Sequence, residues 1–220
     1  ETGARSQTIS TIRVKHIKKI LMQNTVLDNR LKLTVGNGTS IDSKFSTEIS
    51  TYIPKQLCLD LIEFTESITW KKSAKKSNYG LTDNNYIFLT RNGTPYYTSK
   101  QEIYELENSE NGLDQNIAVG GTLKSQLKML IEMIKVKHPD FPIFSLHDLR
   151  ATFALNSLKN CIDFGWNNTQ SLLHIKKLLG HKSTQVTERY LNYYHELDSY
   201  NNAQKAIEMR LLKPITDQED

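Results

Sequence analysis

The chain has 220 residues, with 28 lysines and arginines against 24 aspartates and glutamates and a formal net charge of +4. This length is enough for one domain with a full hydrophobic core, and the modest positive charge is compatible with a polyanionic partner without requiring one. Cys58 and Cys161 lie far apart and belong to no CxxC pair, which argues against a disulfide framework or a zinc site. No stretch approaches the roughly 18 to 20 apolar residues of a membrane span, and residues 1–20 are too polar for a signal peptide. We therefore expect a soluble, cytoplasmic protein that does not contact membranes.

The start of the chain predicts a helix followed by a small sheet. Apolar residues recur near helical spacing over residues 5–22. The period then changes to alternation across residues 31–53, with a tight turn at Asn37-Gly38 and an end at Pro54. We predict a three-stranded antiparallel sheet in this part of the chain.

The middle of the chain predicts one helix and several connecting segments. Helical spacing resumes from Leu57 to about Ser67, and residues 71–85, rich in lysine and asparagine, are expected to form an exposed connector. Residues 86–89 predict a short buried strand or extended segment. The polar stretch 105–121 is the loop that we expect to be most mobile.

The last part of the chain is predicted to be helical. A strong helix from Leu123 closes at His138-Pro139, and the helical pattern of residues 146–209 breaks near Gly165 and Gly180. The predicted fold is therefore mostly α with a small three-stranded antiparallel sheet, which is an α+β arrangement.

Three local motifs follow one another in this helical part. His147 and Arg150, at the start of a predicted helix, are three residues apart and therefore share a face that points at one target. Gly180 ends a helix and presents His181 at the turn. Tyr190 follows nine residues after His181.

The ordered set of HxxR, LGH and a tyrosine nine residues later resembles the C-terminal signature of the tyrosine recombinases, the family of the phage integrases. Residues 2–5, Thr-Gly-Ala-Arg, are similar to the TGxR segment of that family, whose arginine is the first of two catalytic arginines. Lys44 best matches the family's lysine in the turn between the second and third strands, with Lys32 and Lys55 as alternatives. The match spans residues 2–190. HxxR alone is a weak motif, but the ordered set is specific.

Two positions depart from the family pattern. The family often has a glutamate three residues after the first arginine, where this chain has Thr8, and a basic residue after the second arginine, where this chain has Ala151. Neither position is a direct catalytic group, so the departures concern the network that supports the site.

The resemblance implies the catalytic core fold of the DNA breaking–rejoining enzymes. Residues 1–195 would form the catalytic domain, and residues 196–220 would form a C-terminal tail or helix that packs into a neighbouring protomer or back on its own domain. The core-binding domain that precedes the TGxR segment in the family would be absent from this fragment.

The implied function is site-specific DNA recombination, in integration or excision, through a 3′-phosphotyrosine intermediate and without metal or cofactor. The implied partners are double-stranded DNA, further protomers in a tetrameric synapse, and accessory DNA-bending proteins. The enzyme would belong to a phage or another mobile element and act at the nucleoid, in the cytoplasm of a bacterium.

The residue types suit this chemistry. Displacement at a phosphodiester puts negative charge on the equatorial oxygens, and two guanidinium groups, Arg5 and Arg150, can each bind phosphate in a bidentate fork. A phenol has a pKa of about 10, so a nucleophilic Tyr190 needs a base or a positive field, which His147 and the arginines can supply.

Two further groups complete the predicted set. The leaving 5′-oxygen needs an acid, for which Lys44 is the candidate, and His181 would hydrogen-bond a non-bridging oxygen. The product is a 3′-phosphotyrosine with a free 5′-hydroxyl, and attack by the 5′-hydroxyl of another strand reverses the step.

Other interpretations remain open. The same chemistry without strand exchange gives DNA relaxation of the type IB topoisomerase kind, and a domain of this fold that has lost cleavage would be a DNA-binding regulator. Any one site residue could instead be structural, and several other tyrosines could replace Tyr190, namely Tyr193, Tyr194 and Tyr200. The remaining histidines, His16, His138, His174 and His195, are expected to be structural. The lysine run at residues 71–76 is either a solvated face or a contact to the DNA backbone.

Overall fold

The structure is a computed structural model that describes residues 2–23, 29–108 and 117–211. The chain forms two compact units, Glu1–Phe153 (unit 1) and Ala154–Asp220 (unit 2). The described residues are mostly helical, with one small antiparallel sheet, so the predicted α+β class is confirmed.

The described helices are α1 Ser6–Ser10, α2 Val14–Leu21, α3 Lys55–Glu66, α4 Ile68–Ala74, α5 Lys100–Glu107, α6 Gly121–Lys137, α7 Leu146–Asp163, α8 Asn168–Leu179 and α9 Gln185–Leu211. The strands β1 Arg30–Val35 and β2 Ile49–Pro54 pair antiparallel, with Leu31 opposite Ile53. The boundary between the units falls inside α7, and the predicted boundary after residue 195 falls inside α9.

The prediction of three strands is wrong for the described part of the chain, where the sheet has two. The segment around Ile41 does not join the sheet as a third strand, because its backbone N–H groups donate to side-chain hydroxyls. The N–H of Ile41 donates to the Thr39 hydroxyl at 3.2 Å, and the N–H of Asp42 donates to the Thr11 hydroxyl at 2.9 Å. Ile41 is buried all the same, which is why its sequence pattern resembles a strand.

The single helix predicted over residues 5–22 is two helices, α1 and α2. The hydroxyl of Thr11 donates to the backbone carbonyls of Gln7 and Thr8, which ends α1. Arg13 then takes an extended conformation and pairs through its backbone with Tyr86. This pairing joins the start of α2 to the segment 86–89, which is buried at its start as predicted but forms single bridges and no continuous strand.

The core of unit 1 lies between the sheet and the helices α2, α3 and α4. Alternation along β1 turns Leu31, Leu33 and Val35 inward, and Pro54 ends β2 as predicted, immediately before α3. The other buried members are Ile12, Val14, Ile17, Ile20, Ile41, Ile53, Cys58, Trp70, Ala74 and Ile87. The prediction of an exposed connector over residues 71–85 is partly wrong, because α4 occupies its first residues.

A buried ion pair joins the beginning of α2 to α5. The Arg13 guanidinium lies 2.8 Å from the Glu102 carboxylate, and its central carbon lies 4.5 Å from the ring centroids of both Tyr79 and Tyr86. The Tyr86 hydroxyl also donates to Glu102, and burial raises the pKa of this phenol to about 12. Two aromatic faces and a carboxylate together replace the water that the guanidinium loses on folding.

Unit 2 confirms the predicted helix breaks. Gly165 and Gly180 both have positive φ, at +79° and +60°, and Gly180 ends α8. The start of α8 is capped by Asn167, which accepts from the backbone N–H of Gln170 at 2.9 Å. The centre of the loop predicted at 105–121 lies outside the described residues. Among the residues that are described, no helix combines the length and apolar character that crossing a bilayer requires.

The neutral state of His16 makes stability pH-dependent. Its Nδ1 accepts from the backbone N–H of Arg13 at 2.9 Å, so Nε2 carries the proton and donates to the Ser40 hydroxyl at 2.7 Å. Burial lowers the pKa of this imidazole to about 4. The unfolded chain therefore binds more protons between pH 6.5 and 4, and the free energy of unfolding should fall by roughly 3 kcal/mol as the pH drops through this window.

Urea denaturation at pH 7 and pH 5 measures this effect. The variant His16→Gln keeps an acceptor that can reach the N–H of Arg13 and does not titrate, so its stability should change less between the two pH values. An equal change in both proteins would show that His16 is not the group responsible.

Candidate active site

A cavity of about 540 Å³ in unit 1 brings three of the predicted catalytic residues together. Arg5, His147 and Arg150 all line it, although they come from opposite ends of unit 1. The other charged residues of its wall are Lys124, Lys128 and Glu132. The cavity wall thus carries two guanidinium groups, two lysine side chains and one imidazole against a single carboxylate, which makes the cavity suited to an anion.

The beginning of α7 is capped in a way that orients the HxxR pair. The Asp148 carboxylate accepts from the backbone N–H and the hydroxyl of Ser145, at 2.7 and 2.8 Å, and these hydrogen bonds lower the pKa of Asp148. The Ser145 hydroxyl accepts in turn from the N–H of His147. These hydrogen bonds cap the helix, which begins at Leu146, and His147 is exposed whereas Arg150 is buried.

Gly3 connects the first segment of the chain to α7. Arg150 donates through Nη1 to the carbonyl oxygen of Gly3. Gly3 has a φ of +60°, and a Cβ at this position would lie 2.2 Å from Cδ1 of Phe153. Only glycine allows this close approach without strain, which gives a physical reason for glycine in the TGxR segment.

The backbone position of Arg5 is fixed by the contacts of α1, the helix that follows it. It stands immediately before α1 in an extended conformation and is half-buried. In α1, Gln7 donates to the buried Asp42 carboxylate at 2.8 Å, and Asp42 also accepts from the backbone N–H of Lys100 at 3.1 Å. Thr8, at the position where the recombinases often have a glutamate, is buried in the same helix.

In unit 2, the rings of His181 and Tyr190 stack. Their centroids are 6.3 Å apart and their planes differ by 16°. The backbone N–H of His181 donates to the carbonyl of Lys176 as part of the C-terminal cap of α8, and its Nδ1 lies 3.0 Å from the hydroxyl of Thr187 in α9. The turn between α8 and α9 therefore fixes the imidazole beside the predicted nucleophile.

The alternative tyrosines lie in other surroundings. Tyr193 and Tyr200 are exposed further along α9, and Tyr194 packs edge-on against His195 at 5.8 Å. Of the four candidates, Tyr190 is the one whose ring stacks on His181. This contact favours Tyr190 over the other three.

The structure does not bring Lys44 to the cavity of Arg5. It lies exposed in a short 3-10 helix, Lys44–Ser46, between β1 and β2. The two alternatives, Lys32 and Lys55, do not line the cavity either. The assignment of a lysine as the acid therefore remains a prediction from the resemblance.

Two of the histidines expected to be structural do have packing roles. His16 caps α2, and His174 packs edge-on against Trp166 at 5.2 Å, where burial lowers its pKa. In the lysine run, Lys71 pairs with Glu66 at 2.7 Å. Within the described ranges, no group of three or more acidic, histidine or cysteine side chains is arranged to hold a metal ion.

No motif in the sequence pointed to Lys124 and Lys128, the two lysines of α6 that line the cavity. Their spacing of four residues is a helical signal that places both on one face, but nothing local indicates what that face meets. The chain matches no protein-family model, no curated protein and no solved structure. The likeness to the tyrosine recombinases therefore rests on the motifs alone.

We expect Gly3→Ala to destabilise the site more than a matched substitution elsewhere. Gly80 has nearly the same φ, +55°, but a Cβ there meets nothing within 4 Å. Gly80→Ala should therefore cost only the backbone strain of about 1–2 kcal/mol, whereas Gly3→Ala should cost roughly 1–3 kcal/mol more because of the clash with Phe153. Urea denaturation of both variants measures the difference, and equal losses would contradict the close approach.

Proposed function

We propose that this protein is the catalytic domain of a site-specific DNA recombinase of the tyrosine type, which cuts and rejoins DNA in the integration or excision of a mobile element. The observation that carries the proposal is the shared cavity of Arg5, His147 and Arg150. They are three of the six residues that the motif resemblance selects, and they line one cationic space although they come from distant parts of the sequence.

The cavity has the chemistry that a phosphodiester in its transition state requires. Negative charge builds up on the equatorial oxygens, and fixed donors stabilise it best when they need no rearrangement. Arg150 is buried and held by the Gly3 carbonyl, so its guanidinium is oriented before DNA binds. With Arg5 it supplies two planar donors for one phosphate.

The proposed reaction is a transesterification. The hydroxyl oxygen of Tyr190 attacks phosphorus, the bond from phosphorus to the 5′-oxygen breaks, and a 3′-phosphotyrosine forms. His147 accepts the phenol proton, and an acid, with Lys44 as the candidate, protonates the leaving 5′-oxygen. His181, stacked on Tyr190, donates to a non-bridging oxygen. The 5′-hydroxyl of a second strand then attacks phosphorus and releases the tyrosine, so the bond energy is conserved and no ATP is consumed.

The proposed partners follow from this reaction. Double-stranded DNA is the substrate, and strand exchange requires further protomers on the same DNA, as in a tetrameric synapse. Helix α9 continues well beyond Tyr190, and Ile207 near its end is 59% exposed. This part of α9 is the proposed tail that packs on a neighbouring protomer. The proposed setting is the nucleoid of a bacterium, with accessory bending proteins as further partners.

We expect Tyr190→Phe to form no covalent adduct with DNA and still to bind it. The substitution removes the nucleophilic oxygen and keeps the ring that stacks on His181. The assay uses nicked duplexes bearing candidate attachment sites, which trap the adduct, and a denaturing gel reveals it.

Tyr200→Phe is the matched control, because Tyr200 lies exposed on the same helix, and it should form adduct at the wild-type rate. Adduct persisting in Tyr190→Phe would refute the assignment of the nucleophile. If no substrate yields adduct with the wild-type protein, the non-cutting DNA-binding domain becomes the better interpretation. Relaxation of supercoiled DNA without strand exchange would instead favour the topoisomerase type.

A modified substrate tests the role of Lys44 as the acid. When sulfur replaces the bridging 5′-oxygen, the leaving group needs no proton, so the loss of an acid should hardly affect the rate of cleavage. Lys44→Ala should cleave ordinary DNA about 10²–10⁴-fold more slowly than wild type and should cleave the sulfur-containing substrate at nearly the wild-type rate. Lys32→Ala and Lys55→Ala are the controls. If one of them cleaved ordinary DNA slowly and the sulfur-containing substrate at nearly the wild-type rate, that lysine would be the acid.

A further inference from the structure

One face of α6 forms a wall of the cavity. Lys124, Leu127, Lys128 and Ile131 all line it, and their spacing of three and four residues places them on one side of the helix. Ile131 is buried and anchors this side, while both lysines are exposed. The wall therefore presents two lysines, whose Cα atoms are about 6 Å apart along the helix axis, to the space that Arg5 and Arg150 share.

The start of α6 is held in place by a close contact. Gly120 directly precedes the helix, and a Cβ at this position would lie 2.0 Å from the ring of Tyr97, which also lines the cavity. The backbone N–H of Gly120 donates to the carbonyl of Tyr96 at 2.9 Å. The two lysines thus stand on an element whose first turn is anchored.

The two ammonium groups have no protein partner in the described part of the chain. Neither Lys124 nor Lys128 makes an ion pair or a side-chain hydrogen bond there, in contrast to Lys18 and Lys71, which pair with carboxylates at 2.7 Å. Glu132 is the one carboxylate of the cavity wall. Positive charge that the protein itself does not neutralise is the electrostatic signature of a binding site for phosphate.

The volume of the cavity exceeds what one phosphodiester group needs. At about 540 Å³ it lies within the range of roughly 300–1,000 Å³ that is typical of sites for whole small molecules. Apolar side chains, including Leu127 and Phe144, form part of its wall. These surfaces suit the deoxyribose that separates two successive phosphates.

We propose that Lys124 and Lys128 bind the backbone phosphate next to the scissile one, so that the cavity holds two successive phosphates of one strand. This inference rests on the proposed function. The arginines bind the reacting phosphate through bidentate forks, and the lysines act as point charges on the neighbouring phosphate, whose charge does not change in the reaction. Their contribution is therefore the same in the ground state and in the transition state, and it raises affinity without raising the rate of cleavage.

Equilibrium binding to a mixed-sequence duplex of 30 base pairs, measured over a range of salt concentrations, tests the first part. Each phosphate that the protein neutralises contributes about 0.9 to the slope of log K against log salt. Because the two lysines bind the same phosphate, the double variant Lys124→Gln/Lys128→Gln should reduce the slope by about 0.9 and weaken binding roughly tenfold at 0.1 M salt, and each single variant should lose part of that slope. Lys137→Gln, on the last turn of α6 and outside the cavity, is the control. Slopes equal to that of the control would overturn the proposal.

Adduct formation on nicked substrates tests the second part, because the adduct identifies the scissile phosphate. A methylphosphonate at the neighbouring phosphate removes its charge, so it should weaken binding by wild type about tenfold and binding by the double variant hardly at all. If the methylphosphonate weakened binding by the double variant as much as binding by wild type, the proposal would be overturned. At saturating DNA, the double variant should lose much less of its adduct-forming rate than of its affinity. A rate lowered a hundredfold and restored by a 5′-bridging sulfur would make one lysine the leaving-group acid and would also overturn it.

These outcomes are separate from a failure of the proposed function. If the wild-type protein formed no adduct on any substrate, the recombinase assignment would fail, and the salt slopes would still report whether the two lysines bind backbone phosphates.

Discussion

The guanidinium of Arg13 is enclosed in unit 1, and a series of contacts leads from it to the candidate site. Glu102 neutralises its charge and the rings of Tyr79 and Tyr86 cover its faces, so loss of either charged partner would leave a buried charge at a cost of about 3–5 kcal/mol. The pair locates α5 against the start of α2. The first residue of α5 donates to Asp42, which also holds α1 through Gln7, and α1 begins directly after the arginine of the TGxR segment.

The site itself depends on contact between two segments at the ends of unit 1. The carbonyl of Gly3 accepts from Arg150, and the missing side chain of Gly3 leaves room for Phe153. Hydrogen bonds between Ser145 and Asp148 cap the start of the same helix. These contacts place several cations around one cavity, and this concentration of positive charge favours an anion. In the proposed function, that anion is the phosphodiester whose transition state the guanidinium groups would stabilise.

Unit 2 contributes a second arrangement, in which a helix end positions a histidine beside a tyrosine. Gly180 ends α8 with a left-handed backbone, and the hydroxyl of Thr187 meets the imidazole of His181. The stacking of His181 on Tyr190 distinguishes this tyrosine from its neighbours on α9. The assignment of Lys44 as the acid has no such contact to support it. The resemblance selects this lysine by its place in a turn, and it lies exposed outside the cavity of unit 1.

The sequence by itself determined the features that depend on neighbouring residues. The helix breaks at Gly165 and Gly180, the shared face of His147 and Arg150 and the alternation of β1 follow from backbone preference and periodicity, which act over a few residues. Only the tertiary structure decided the number of strands, the division of the first helix and the burial of Arg13. Only the tertiary structure also showed that the two lysines of α6 line the same cavity as Arg5 and Arg150. Each of these depends on contacts between residues far apart in the chain, such as the hydroxyl of Thr11 with Asp42, and no local pattern records such a contact.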